Sequence, residues 1–230
     1  MKNTKFYVCS TLIVAALSLA PLAQGEGETN AVDMSANQGE TNAMSMESSH
    51  QGETNMAKMD SKMEEMMQKA EEMGKPGEGH KVLEPLIGDW EVETKCWMNP
   101  EAAPQISKGT AKAMWIMGGR FVQENFDGEM MGKPFHGMSL AGYDNMNQKY
   151  QSVWIDEMST AIFTSEGTAG EEGKVLTFTS TMDCPMTGEK DLPVKQVIRI
   201  ISNDQHTFEM YDLRKTDNNK TMEITYTRKQ

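Results

Sequence analysis

The 230-residue chain is poor in the residues that build a large packed core. Aromatic residues make up 7% of it and the hydrophobic set 38%, which is below the usual fraction for globular proteins. Basic residues are also few, because 22 Lys and Arg stand against 34 Asp and Glu, for a net charge of −12. A polyanion binds proteins through basic side chains that release its counterions. Nucleic-acid binding is therefore not expected, and part of the chain is too polar to pack.

Long apolar runs are absent outside the N-terminus, so the sequence predicts no membrane span in the mature protein. The N-terminus combines Lys2 and Lys5 with an apolar segment over Phe6–Ala20, and small residues precede a cleavage point after Gly25. This order is typical of a secretory signal peptide. We expect residues 1–25 to be removed and the protein to be exported, to the periplasm or the extracellular space. An uncleaved membrane anchor is the alternative.

Residues 26–55 contain little that could be buried. The tetrapeptide Gly-Glu-Thr-Asn occurs three times, beginning at Gly27, Gly39 and Gly52, with mostly small or polar residues between the copies. Such a segment cannot offset the entropy that it would lose on ordering. Its repeats are also far shorter than the roughly 20 residues of a solenoid unit. The sequence predicts a disordered linker.

Methionine is unusually abundant, with 22 copies, and six of them recur at helical spacing within residues 56–74. At 100° per residue they fall within an arc of about 120°, the width of a buried helix face. Gly74 and Pro76 then end the helix. The sequence predicts one amphipathic helix over 56–74, with a methionine face formed by Met56, Met59, Met63, Met66, Met67 and Met73.

Two interpretations of this methionine face stay open. The favoured one is a hydrophobic surface that packs on the folded domain or on a partner, since Met is an adaptable filler of apolar contacts. The alternative is handling of a soft metal, Cu(I), because thioethers are soft ligands that suit a soft ion. Met56, Met59 and Met63 would then supply ligands.

From residue 80 to residue 230 the composition becomes that of a packed domain. Short segments of alternating polarity follow one another with turn residues between them, and the absence of a useful intervening helix excludes a parallel sheet. Ten sequential antiparallel strands protect their edges best by closing into an up-and-down barrel. The predicted strands are Asp89–Met98, Ile106–Ile116, Arg120–Asp127, Phe135–Tyr143, Tyr150–Asp156, Ala161–Thr168, Lys174–Asp183, Val194–Ile201, His206–Leu213 and Thr221–Arg228.

The first, seventh and tenth predicted strands have one clean apolar face, whereas the middle strands are apolar on both. Two apolar faces favour either a homodimer surface outside or a lined cavity inside. We therefore expect a small hydrophobic or amphipathic ligand, with a structural module whose barrel is filled by its own side chains as an alternative. The candidate lining residues are Trp115, His136, Trp154, Phe178, Phe208 and Tyr226.

Gly88 and Trp90 open the first strand after a short helical turn at His80–Pro85. A Gly-x-Trp at this place resembles the signature of calycin-type barrels, the lipocalin and fatty-acid-binding superfamily, in which the Trp closes one end and a basic residue of the last strand covers it. By strand alternation, the side chain of Arg228 points to the face of the last strand from which it could make this cation–π contact with Trp90. The resemblance implies that Gly88, Trp90 and Arg228 close the barrel.

A wider set of short motifs over about residues 80–229 resembles a bacterial family catalogued as domain of unknown function 1579. The resemblance implies an all-β, calycin-like barrel of ten antiparallel strands that holds a small apolar molecule, and it brings no activity or catalytic residue. The motifs are Gly88-Asp89-Trp90, Gly118-Gly119-Arg120, Gly142-Tyr143-Asp144, Trp154-Ile155-Asp156, Ser165-Glu166-Gly167, Pro185-Met186-Thr187-Gly188 and the segment Met222–Lys229.

Catalytic motifs are missing from the sequence. Its four His form no metal-binding pair, and neither a Gly-x-Ser-x-Gly nor a phosphate loop occurs. Charged residues on strands, such as Glu124 and Arg199, are expected to face solvent. We therefore predict a protein that is not an enzyme and needs no cofactor. Haem is the alternative cofactor, because calycin-like haem carriers use a barrel His, for which His136 and His206 are the candidates.

Cys96 and Cys184 are the only cysteines left after signal removal. Each lies at the end of an odd-numbered strand, at a position whose side chain is expected to point inward. Because odd-numbered strands of an up-and-down barrel run in the same direction, both cysteines reach the same rim. Export favours a disulfide between them, although the two strands are not neighbours and loops would have to cross the mouth. Reduced thiols are one alternative. The other is a soft-metal site in which Met98 and Met186 of the two Cys-x-Met pairs join the cysteines.

Overall fold

The structure is a computed structural model that describes residues 49–99, 101–170, 172–184, 187–214 and 219–230. The chain divides into one unit that contains a helix up to Glu72 and another that runs from Met73 to Gln230. The predicted signal peptide and most of the predicted linker lie outside the described residues. Among those residues, none of the helices combines the length and apolar character that crossing a membrane requires.

Helix α1 spans Ser49–Met73 and so begins earlier than the predicted start at Met56. It includes the third Gly-Glu-Thr-Asn copy, which the sequence placed in the disordered linker. Starting a helix is costly, but extending one that has formed adds a hydrogen bond for each residue fixed. The intrinsic propensity of the added residues does not show this advantage, so the sequence predicted a later start. The six methionines of the predicted face are exposed, from 39% to 67%.

Ten antiparallel strands close into a barrel in which every strand pairs with its sequence neighbours and β1 pairs with β10. The predicted ten-stranded up-and-down barrel is confirmed. Two short elements precede it, helix α2 over Glu78–Lys81 and a 3-10 helix over Glu84–Leu86. The strands are β1 Gly88–Cys96, β2 Gln105–Ile116, β3 Phe121–Met130, β4 Lys133–Asp144, β5 Lys149–Asp156, β6 Phe163–Ala169, β7 Val175–Met182, β8 Leu192–Ser202, β9 Gln205–Asp212 and β10 Lys220–Arg228.

Pairing fixes the faces of the middle strands, which the sequence left undecided. The β3–β4 hairpin turns through Met131 and Gly132, whose φ angles of 53° and 77° are both positive, as a two-residue type I′ turn requires. With this register, Phe135 of β4 points inward. On β5, Tyr150 and Trp154 take the inward positions.

The core changes character along the barrel axis. At one end, which we call the closed end, Leu83 precedes the 3-10 helix and packs among Val122, Tyr150 and Leu176. At the opposite end, which we call the sulfur-rich end, the core is built mostly from sulfur-containing side chains, together with Phe208 and Ile224. Its sulfur-containing members are Cys96, Met210 and Met222, with Met98, Met130 and Met182 packed against them.

Candidate ligand-binding cavity

Trp90 lies next to the closed end and is fully buried. Its indole Nε1 donates a 3.0 Å hydrogen bond to the carbonyl oxygen of Leu86, and the Arg228 guanidinium carbon lies 4.2 Å from its ring centroid. Arg228 in turn donates from Nη1 to the carbonyl of Ile87 at 2.9 Å. Gly88 has a φ of +145°, and a Cβ there would collide with the Arg228 guanidinium. Glycine at this position therefore lets the guanidinium cover the indole.

His206 and Tyr226 form an aromatic layer beside Trp90. The His206 ring stacks on Tyr226 with centroids 4.2 Å apart and meets Trp90 edge-on at 4.5 Å. Burial and the nearby Arg228 charge lower the pKa of His206 to about 3, so the imidazole is neutral at physiological pH. Its Nδ1 is buried and has no hydrogen-bond partner within the described part of the chain.

A cavity of about 180 Å³ occupies the barrel interior next to this layer. Protein interiors normally contain few voids larger than a water molecule, so this space is a distinct feature of the fold. It is close in size to an engineered cavity of about 150 Å³ that binds benzene, and smaller than the roughly 300 Å³ of sites for drug-sized ligands. Its aromatic lining residues are Phe126, Phe135, Trp154, Phe163, Phe178, Phe208 and Tyr226.

Two of the six predicted lining residues do not line this cavity, which corrects the sequence-based assignment. Trp115 packs in the cluster around Leu83 at the closed end. His136 follows the inward-facing Phe135, so its side chain points out of the barrel, where it pairs with Asp127 and is 56% exposed. The other four do line the cavity: Trp154, Phe178, Phe208 and Tyr226.

Glu124 was expected from the sequence to face solvent, and the structure places it in the cavity wall instead. It pairs with Ala113 of β2 and Ser139 of β4, and its Oε1 accepts a 3.4 Å hydrogen bond from the Tyr226 hydroxyl. The surface that it retains faces the cavity. Burial raises the pKa of Glu124 to about 7, against a smaller lowering effect of the Tyr226 hydrogen bond. Glu124 lies two residues after the buried Val122 on the same strand, so the two side chains face the same side. This alternation was the signal available in the sequence.

A short polar chain lies elsewhere on the wall. The Ser165 hydroxyl donates to Gln196 Oε1 at 3.1 Å and shares a 2.7 Å hydrogen bond with the Ser152 hydroxyl. Ser152 and Gln196 both line the cavity. Because these groups bond to one another, they cost little to bury, and they add neutral polarity to an otherwise apolar wall.

Cys96 and Cys184 are both buried near the sulfur-rich end, and Met182 packs against the cluster of each. Met98 belongs to the Cys96 cluster, whereas Met186 lies outside the described residues. Within the described ranges, no group of three or more His, Cys, Asp and Glu side chains could hold a metal ion. The Cu(I) hypotheses, which depend on thioethers, stay hypotheses.

We still expect Cys96 and Cys184 to form a disulfide in exported protein, because an oxidising compartment favours it. Thiol counting on denatured, unreduced protein measures this directly, and we expect no reactive thiol from the mature chain. Protein made with Cys184→Ser supplies the matched control, with one reactive thiol. Two reactive thiols in oxidised, metal-free material would contradict the disulfide.

One family model and several solved structures are similar to this chain. A model of the family described as "Protein of unknown function (DUF1579)" matches residues 75–228. No curated protein matches the chain. Among solved structures, the crystal structure of Rv2717c from M. tuberculosis is 14% identical, with a TM-score of 0.50 over 68% of this chain and 100% of that chain. At this identity the likeness shows the barrel fold alone.

Two further solved structures are less similar. The S-type phycobiliprotein lyase CPES from Guillardia theta is 9% identical, with a TM-score of 0.43 over 67% of this chain and 99% of that chain. The redesigned β-barrel mFAP1, bound to DFHBI, is 16% identical, with a TM-score of 0.34 over 66% of this chain and 100% of that chain.

Proposed function

The chain belongs to the family of proteins of unknown function DUF1579, and we propose that its barrel binds one small, mostly apolar molecule without transforming it. The observation that carries this proposal is the cavity of about 180 Å³ inside the barrel. A barrel that served only as a structural module would fill this space with its own side chains, because empty volume lowers stability. The cavity therefore favours binding over the self-filled alternative.

The lining determines what kind of molecule fits. Phe135 and Trp154 stack with centroids 6.3 Å apart, and Phe126 meets both rings edge-on, so this part of the lining is aromatic. A single ring or a short alkyl chain would bury its apolar surface here at about 25 cal/mol per Å². The volume restricts the ligand to roughly that size.

Export is part of the proposal. The basic start, the apolar segment and the small residues before Gly25 support removal of residues 1–25 and a site of action in the periplasm or outside the cell. Homodimer formation and the lack of a nucleic-acid partner stay predictions from the sequence.

Binding of benzene and hexanol to the full chain tests the proposed function. We expect both to bind and to change the fluorescence of Trp154, which lines the cavity. The variant Ala141→Leu, at a lining position, should weaken binding by about tenfold or more, because the added side chain fills space that the ligand needs. Calorimetric titration gives the dissociation constants.

The matched control is Ala102→Leu, the same change at an exposed loop position. It should leave the dissociation constants unchanged. If neither probe binds the unmodified chain, or if both variants behave alike, the cavity is not a binding site.

A further inference from the structure

We propose that the ligand of this cavity carries an amine that pairs with the carboxyl group of Glu124, so that the barrel selects small apolar amines over the matching carboxylic acids. This inference rests on the proposed function and names the chemical class of its ligand. It depends on the charges that line the cavity, on the hydrogen bonds that Glu124 makes, and on the groups that surround it.

The charged residues of the lining are all acidic. Glu124 and Glu129 contribute carboxyl groups, and no Lys or Arg is among the described residues that line the cavity. Glu129 is exposed and lies near the end of β3, whereas Glu124 lies inside the barrel. A ligand carboxylate would have no counter-ion in this space, and burying an unpaired charge is costly. A ligand ammonium would find a carboxylate to pair with.

Glu124 has hydrogen-bonding capacity to spare. A carboxylate can accept about four hydrogen bonds, and in the described structure the Tyr226 hydroxyl is the one group that donates to it, at 3.4 Å. This bond is longer than the usual 2.5–3.0 Å between two oxygens. With one long hydrogen bond from the protein, the carboxyl group keeps lone pairs available, and a ligand N–H could donate to them.

The neighbours of Glu124 add no positive charge that could compete with a ligand ammonium. On the adjacent strands it is paired with Ala113 and Ser139, which are uncharged. Across the barrel, His206 is neutral because burial lowers its pKa to about 3, and burial also keeps Tyr226 protonated by raising its pKa. The remaining lining carboxyl, Glu129, is negative and favours a cation as well.

The position of Glu124 also orients the ligand. Ala113, its partner on β2, packs in the closed-end cluster around Leu83, so the carboxyl lies toward the closed end. Met130, Met182 and other thioethers of the sulfur-rich end line the opposite part of the cavity. The amine would therefore lie toward the closed end and the apolar body toward the sulfur-rich end.

Three probes that share one alkyl chain test this selectivity: hexylamine, hexanol and hexanoate, titrated calorimetrically into the full chain at about pH 8, where an amine is charged. We expect hexylamine to bind at least about tenfold tighter than hexanol, because a charge-assisted hydrogen bond is roughly twice as strong as a neutral one. Hexanoate should bind more weakly than hexanol.

The variant Glu124→Gln keeps the side-chain shape and removes the charge. It should abolish the preference for hexylamine, which then binds no tighter than hexanol because an ammonium without a counter-ion is costly to bury, and its melting temperature shows whether it folds. Glu91→Gln, the same change at an exposed position of β1, is the matched control and should keep the preference for hexylamine.

Each outcome decides the question. Hexylamine that binds no tighter than hexanol, or tighter binding of hexanoate, overturns the amine selectivity and leaves the proposed function in place. Failure of all three probes to bind overturns both. The ranking of the probes in the unmodified chain decides the matter even if Glu124→Gln does not fold.

Discussion

Replacement of Trp90 by alanine is expected to lower the free energy of unfolding by about 3–5 kcal/mol, the usual loss for a buried aromatic side chain. Trp90 is fully buried, and its ring contacts His206, Tyr226 and the Arg228 guanidinium. The truncation removes these contacts and leaves a void in the core. Urea denaturation of the variant and of the unmodified chain measures the loss.

Trp90→Phe is the matched comparison, because it keeps an aromatic ring under Arg228 and removes the hydrogen bond from Nε1 to Leu86. We expect it to lose less stability than Trp90→Ala. A loss below about 1 kcal/mol for Trp90→Ala would mean that this residue does not hold the closed end together, since such values are typical of surface positions.

The overall fold was predictable from the sequence because its determinants are local. Alternation of apolar and polar residues gave the inward face of β1, where Trp90, Val92 and Cys96 are all buried. Short turns between segments excluded a parallel sheet and left sequential antiparallel pairing as the simplest topology. The ten strands, their order and the closure between β1 and β10 follow from these two signals.

The candidate site was less predictable because it depends on where the register places individual side chains. His136 looked like a lining residue until the β3–β4 pairing fixed Phe135 as its inward neighbour. Trp115 lies in the closed-end cluster, because the segment before β1 brings Leu83 into contact there. The size of the cavity follows from side chains that are far apart in the sequence, and no periodicity reports it.

Glu124 shows where a general rule failed. Strand carboxylates usually face solvent, and this rule outweighed the parity that Glu124 shares with Val122 and Phe126, both buried. A buried carboxyl group that breaks the rule costs stability unless something compensates for it. Exceptions of this kind are concentrated at functional sites, which is why this residue carries the ligand class proposed above.

The pH dependence of stability should show the burial of Glu124 directly. Burial raises the pKa of Glu124 in the folded state from 4.5 to about 7. Between these two pH values the folded state holds a proton that the unfolded state has released, so the contribution of Glu124 to stability is full below about pH 4.5 and is lost as the pH rises to 7. One pKa unit corresponds to about 1.4 kcal/mol, so we expect a loss of about 3 kcal/mol across this window.

The variant Glu124→Gln isolates this effect from other titrating groups. Burial raises the pKa of Asp212, but the hydrogen bonds and charge of Arg214 together lower it by more, so that group acts in the opposite direction and loses its contribution as the pH falls. Because Glu124→Gln retains the Asp212 pair, subtracting its urea-derived free energies from those of the unmodified chain leaves the contribution of Glu124. Parallel curves from pH 4.5 to pH 8 would show that the carboxyl is not protonated inside the barrel.

Saturating hexylamine should reduce the pH dependence of the difference in unfolding free energy between the unmodified chain and Glu124→Gln. A bound ammonium favours the ionised carboxylate and so lowers the pKa of Glu124 again.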